Sequence, residues 1–456
     1  MRTGSVTMAK VSDMARLSGR ITRRLGWGVG DQAFSSLTNF ALAILVARAV
    51  APTEFGAFSL AFATYTLALG GSRALATEPL VVRYAGSSVE AHRRAAASGS
   101  GAALVVGAVG GAAAVLFGFI STGALGEAFI ALGISLPGLL LQDSWRFIFF
   151  SGGRGSLAFL NDVLWAVVMF PAVAVLLLTD HASILFLTLA WGGAGTLAGC
   201  VGALQSRVVP QPSAALLWFR AQRDLGARYL GEFGALAGAR QLSLYAVGGI
   251  AGVAAVGAVR AANILFGPID VLVFGVRLVA VPEAVRIVKR SARHLRAACA
   301  LLSAALSAMS VAWGVLILVL PERIGEALLG QTWSLAHRVA VPIAVMTAAG
   351  GISAGILVGL RALAAARRSF RARLLVSGLQ IVGTIGGAAV GGAVTAAWGL
   401  AAGVVAGVPV WAWHFKRGLL EHERTFGHAS DEPEQIPGNL SQAAHFSSNI
   451  DVTPSV

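Results

Sequence analysis

Apolar residues run in blocks of about twenty along most of this chain, with polar and basic stretches between them. At about 1.5 Å of helical rise per residue, one such block crosses the hydrocarbon core of a bilayer, roughly 30 Å thick. The pattern predicts twelve membrane-crossing helices, at 27–49, 54–73, 99–120, 125–143, 156–178, 183–204, 228–248, 253–281, 299–320, 338–360, 373–391 and 394–414. Turns after the odd-numbered spans are mostly short, as at Ala51-Pro52-Thr53, whereas those after the even-numbered spans are longer and basic. At 205–227, Val209-Pro210-Gln211-Pro212 and several arginines interrupt the hydropathy and divide the spans six and six. The expected fold class is an all-α polytopic membrane protein with two six-helix lobes (6+6). Its expected parts are a basic N-terminal segment at 1–26, a first lobe at 27–204, a linker at 205–227, a second lobe at 228–414, and a polar, disordered tail at 415–456. Pro321 to Glu326 suggests a short interfacial helix in the longest outer segment.

The two halves echo one another. Glu54-Phe55-Gly56-Ala57 opens a span that reaches Arg73 and then Glu78-Pro79; Val256-Gly257-Ala258 opens another that reaches Arg277 and then Pro282-Glu283. Weak internal repetition of this kind is how two-lobed transporters show themselves in sequence.

Composition agrees with the pattern. Hydrophobic residues make up 56% of the 456 residues and charged residues only 12%, about half the share of an ordinary soluble chain. The net charge of +14 would suit nucleic acid, but its placement argues otherwise. Most of the 35 Lys and Arg fall in the N-terminal segment, the C-terminal segment and the loops after even-numbered spans. With both termini cytoplasmic, this is the positive-inside asymmetry. The basic residues orient the chain in lipid and make no nucleic-acid patch. Cys200 and Cys299 both lie in apolar spans and have neither metal-ligand nor disulfide spacing.

A charge inside a span is costly, about 2.5–3.5 kcal/mol at the helix centre on insertion scales, so each one needs an account. Arg240 lies on the order of 18 Å into the seventh span and Arg260 roughly 10 Å into the eighth. Both are too deep to snorkel easily, and arginines lining a wet cavity would suit an anionic substrate, because the planar guanidinium matches phosphate oxygens. Arg73 and Arg277, in the inner third, either snorkel or join them. Asp31, Glu78, Glu232 and Asp270 are the expected charge partners at the inner mouth, and Asp143 and Asp162 lie at similar depth.

Catalytic signals are weak. The chain has no phosphate-binding loop of the Gly-x-x-x-x-Gly-Lys-Ser/Thr type and no His-Glu-x-x-His. Gly351-Ile352-Ser353-Ala354-Gly355 matches Gly-x-Ser-x-Gly but falls inside an apolar span, without the strand–turn–helix setting of a nucleophile elbow. A membrane-embedded enzyme of glycan assembly is therefore the weaker functional class, and no metal or other cofactor is expected.

Several runs resemble the Wzx-type polysaccharide flippase branch of the multidrug/oligosaccharidyl-lipid/polysaccharide (MOP) exporter superfamily. They are Asp31-Gln32-Ala33-Phe34 through Asn39-Phe40, Val46-Ala47-Arg48 with Glu54-Phe55-Gly56, Arg73 with Glu78-Pro79-Leu80, and Gln142-Asp143 with Arg146 and Arg154. Arg260-Ala261-Ala262 with Gly267-Pro268, Gly359-Leu360-Arg361-Ala362 and Ala396 to Gly403 follow in the second half. The resemblance implies a V-shaped pair of lobes that alternates between inward-open and outward-open states in the bacterial cytoplasmic (inner) membrane. The substrate it implies is a polyprenyl-pyrophosphate-linked oligosaccharide. Arg240, Arg260 and Arg277, with Arg73, would line the phosphate cavity, and Asp31 and Glu232 would sit at the inner mouths of the gating helices. A polysaccharide polymerase and glycosyltransferases are the expected partners, and an ion gradient or the membrane potential would reset the empty carrier. The alternative within the same fold is a multidrug antiporter for organic cations.

Overall fold

The computed structural model describes residues 27–28, 30–234, 239–288 and 291–427. Among them the chain is helical and runs back and forth in nearly antiparallel rods. Helix α1 covers 30–49. There follow α2 (Pro52–Ser72), α3 (Glu78–Tyr84), α4 (Val89–Ile120), α5 (Gly123–Ser151), α6 (Gly155–Leu178) and α7 (Ile184–Ser206). Two short helices, α8 (Ala215–Ala221) and α9 (Arg223–Phe233), lead to α10 (Ala239–Ala251) and α11 (Val253–Val288). The chain continues through α12 (Ala292–Leu318), α13 (Glu322–Leu329), α14 (Trp333–Ala362), α15 (Ala366–Gly391) and α16 (Ala393–Gly427).

Nine helical stretches among the described residues are long and apolar enough to cross a membrane. Large apolar side chains such as Phe119, Leu178 and Val390 stand exposed on their flanks, a surface that lipid covers and water would not. This is a multi-pass membrane protein.

Several expected boundaries move. The expected span at 228–248 includes residues 235–238, which lie outside the described residues; on either side of them are α9 and α10. Helix α16 continues past 414 to Gly427, so the first part of the expected tail is helical. Phe415 and Leu419 pack into a core there, and Arg368 of α15 pairs with Glu421. The short helix expected at 321–326 is present as α13. The expected segment at 1–26 and the tail beyond 427 lie outside the described residues.

Helices α4–α7 pack chiefly on one another, as do α10–α12 with α14–α16, and α2 joins the first group through α5. The main crossing between the two groups is α2 against α11. It is close because two glycines meet: a Cβ on Gly56 would lie 1.9 Å from the Val253 carbonyl oxygen, and one on Gly257 would lie 2.4 Å from that of Pro52. Nearby, Gly252 takes φ +90° in the single-residue turn between α10 and α11, which a side chain would resist.

The apolar core divides unevenly. Away from the basic loops, one core joins both groups, with Leu42, Val46 and Phe55 meeting Val256, Phe266 and Trp333. There Thr332 Oγ1 also donates to the Ala47 carbonyl oxygen at 3.2 Å, tying the segment after α13 to the end of α1. Towards the basic loops the core separates. Leu80, Trp145, Phe149 and Trp218 form one cluster, and Leu295, Leu360, Val376 and Trp411 form another.

Candidate functional site

The α2–α3 rod contains a π-helical turn at Arg73–Thr77. Pro79 accounts for it. Proline has no N–H for the carbonyl four residues earlier, and its ring clashes there. That carbonyl belongs to Leu75, and it accepts a hydrogen bond from Trp218 Nε1 of α8 at 3.3 Å. Arg83 of α3 grips Asp224 of α9 with two bonds, of 2.8 and 2.7 Å, and reaches the Ala221 carbonyl oxygen at 2.8 Å. The linker helices are thus fastened to the N-terminal group at the point where its second helix loosens.

Arg73, at the head of the π turn, forms a two-pronged ion pair with Asp143 of α5, Nε to Oδ2 at 2.9 Å and a terminal nitrogen to Oδ1 at 2.6 Å. Its guanidinium also lies 5.2 Å from the centre of the Phe147 ring. The charge of Glu78, one turn on, acts on the same arginine. Asp31 is wholly buried and accepts from Arg146 Nε at 2.5 Å; its other oxygen has no hydrogen-bond partner among the described residues. Gln142 donates to Asp162 at 2.7 Å, and Asn161 donates to the Ala198 carbonyl oxygen at 2.8 Å. A polar layer therefore links α1, α2, α5, α6 and α7, as expected where hydrocarbon leaves no water to satisfy such groups.

Arg260 has a different setting. It sits on α11 at the crossing, 5.3 Å over the ring of Phe62 in α2. Phe62 in turn meets Tyr65 and Trp191 at ring separations of 5.8 and 5.6 Å. Beside it, Thr64 of α2 and the Tyr245 hydroxyl of α10 are 2.6 Å apart. The seam between the two helix groups therefore carries an aromatic platform bearing one guanidinium. Arg277 lies about 25 Å further along α11, towards the basic face, half-buried and under the like charges of Arg361 and Arg373.

The expected cavity residues thus occupy separate settings. Arg73 is committed to Asp143, Arg260 rests on the seam, and Arg277 belongs to a basic cluster. Asp270 is exposed on α11, beyond Pro268. The side chains of Glu232 and Arg240 lie outside the described residues. Sequence reasoning missed the aromatic platform, since Phe62, Tyr65 and Trp191 look like ordinary packing residues until α2 and α7 are juxtaposed. It also did not bring Arg361 and Arg373 together with Arg277.

Neither protein-family models nor curated proteins match this sequence. Solved structures do. One is the lipid II flippase MurJ in an inward closed conformation, at 12% identity over 90% of this chain and 94% of that one, with a TM-score of 0.66. Another is an inward-facing multidrug resistance transporter of the MATE family of the MOP superfamily, at 14% identity over 86% and 95%, with a TM-score of 0.60. The chain therefore has the helical membrane fold that MATE transporters and MurJ share.

Proposed function

We propose that this protein is a flippase that carries a polyprenyl-pyrophosphate-linked oligosaccharide from the inner to the outer leaflet. Its twelve spans work as two six-helix lobes that rock about the α2–α11 crossing. The observation that carries the reading is the division of the core, single away from the basic loops and double towards them. A joint of that form closes one side and lets the other part. Arg260 sits at its apex and Arg277 on the diverging side, so cationic groups line the path from the basic face to the seam. Guanidinium groups in a low dielectric offset the desolvation of pyrophosphate, while the polyprenyl tail stays in lipid between the lobes. Arg73 serves instead to hold the N-terminal lobe together through Asp143.

Vesicles reconstituted with the full chain and a fluorescent polyprenyl-pyrophosphate oligosaccharide test this reading. Arg260→Ala with Arg277→Ala should slow delivery to the far leaflet by on the order of tenfold or more without changing insertion. Delivery at the native rate would overturn it. Export of organic cations is the competing reading, favoured by the aromatic platform of Phe62, Tyr65 and Trp191. It requires cation flux from the same vesicles, and the Arg260 charge over Phe62 opposes it.

A further inference from the structure

Some arginines at the basic face have carboxylate partners. Arg83 pairs with Asp224, Arg146 with Asp31, Arg286 with Glu283 and Arg368 with Glu421. Arg277, Arg361 and Arg373 differ. Among the described residues, no carboxylate pairs with any of the three, and they lie close enough for their charges to act on one another.

Two of them face a cavity. The turn from α14 to α15 is closed by hydrogen bonds from Ala364 N to the Arg361 carbonyl oxygen and from Ala365 N to that of Leu360, both 3.0 Å. Ala364 there takes φ +52°, a left-handed conformation that costs a non-glycine residue about 1–2 kcal/mol. The turn holds Arg361 and Arg373 in the wall of a cavity of about 720 Å³, together with the Ser369 hydroxyl, and Gly231 of α9 lies opposite. The Arg373 guanidinium lies 5.8 Å from the centre of the Trp411 ring, so one face is braced while its edge nitrogens stay available. A concave site with one braced guanidinium, a second on its rim, a hydroxyl and a third positive charge nearby matches the oxygens of phosphate. Like charges gathered without counter-ions repel, and a bound anion relieves that repulsion.

We propose that the cavity between α9 and the α14–α15 turn binds a phosphate group through Arg361, Arg373 and Ser369, supplied by an anionic lipid headgroup of the adjoining leaflet or by a soluble phosphate. The cavity is separate from the α2–α11 seam, and Arg361, Arg373 and Ser369 are not among the residues assigned to the transport path. Because α9 is anchored on the N-terminal helices through Arg83 and Asp224, a phosphate there bridges that linker to the C-terminal helices.

Native mass spectrometry of the full chain, offered phosphatidylglycerol or phosphatidylcholine with and without inorganic pyrophosphate, tests the proposal. The expected result is selective retention of phosphatidylglycerol, or of pyrophosphate itself. Either should fall by on the order of tenfold or more per arginine removed in Arg361→Gln/Arg373→Gln and be largely restored in Arg361→Lys/Arg373→Lys. Lipid retention that pyrophosphate leaves untouched identifies the headgroup as the source, and displacement by pyrophosphate identifies phosphate alone. Should the double variant not fold, Arg373→Gln and Ser369→Ala are compared singly in the same way. Equal binding to native and variant protein would overturn the proposal. So would an equal loss in Arg367→Gln/Arg371→Gln, which removes two exposed charges of α15 outside the cavity lining.

Discussion

The glycine contact at the α2–α11 crossing gives the sharpest test of how the two helix groups meet. In Gly257→Ala the new methyl would stand 2.4 Å from the Pro52 carbonyl oxygen and 3.1 Å from the Gly56 nitrogen. Both are backbone atoms, so no side chain can swing aside. The helices must separate or the start of α2 must shift, and overpacking of this kind costs about 1–3 kcal/mol. That cost falls on the closed seam and not on a conformation in which the seam has parted. The equilibrium between them should therefore move towards the parted form by roughly 5- to 150-fold. Spin labels at Thr122→Cys and Glu322→Cys, in a background lacking Cys200 and Cys299, report the separation on the face away from the basic loops. Gly257→Ala and Gly56→Ala should both populate a longer distance. Gly71→Ala, on α2 with open space around it, should not. An unchanged distance distribution in both crossing variants would refute the argument that this contact holds the seam shut.

Two further outcomes concern the N-terminal helices. Asp143→Asn leaves Arg73 without its carboxylate; the arginine side chain is only 32% exposed and the aspartate 7%, so the loss should be about 3 kcal/mol, near the low end for a buried pair. Thermal unfolding in detergent checks this, and an unchanged midpoint would rule out a structural role for the pair. At the linker, desolvation raises the Asp224 carboxyl, but the hydrogen bond and charge of Arg83 together with backbone hydrogen bonds outweigh it and leave it below its usual range. The resulting stabilisation is complete above the ordinary aspartate range and disappears as pH falls through the lowered value. Hydrogen exchange in α8 and α9 should accelerate as that value is passed, and Asp224→Asn should show the faster exchange at neutral pH.

Much of the architecture was legible in the residues. Blocks of twenty apolar positions announce spanning helices because hydrocarbon tolerates little else, and the basic loops alternate because membrane insertion sorts charge. The Gly56 and Gly257 openings stood out as a repeat, and the structure brings the two into contact. Which charges would meet was another matter. A guanidinium at a given depth either snorkels, pairs or faces a void, and depth alone does not choose among them. Tertiary packing chose Asp143 for Arg73, an aromatic ring for Arg260, and like-charged neighbours for Arg277. The docking of α8 and α9 against the α2–α3 rod also depended on distant contacts, Trp218 with the Leu75 carbonyl that Pro79 cannot satisfy and Asp224 with Arg83. Linear order thus decided that the chain is a bundle of membrane-length apolar helices. Only the folded arrangement decided where charges find partners and where the two helix groups part, because those outcomes rest on contacts between residues distant in the chain.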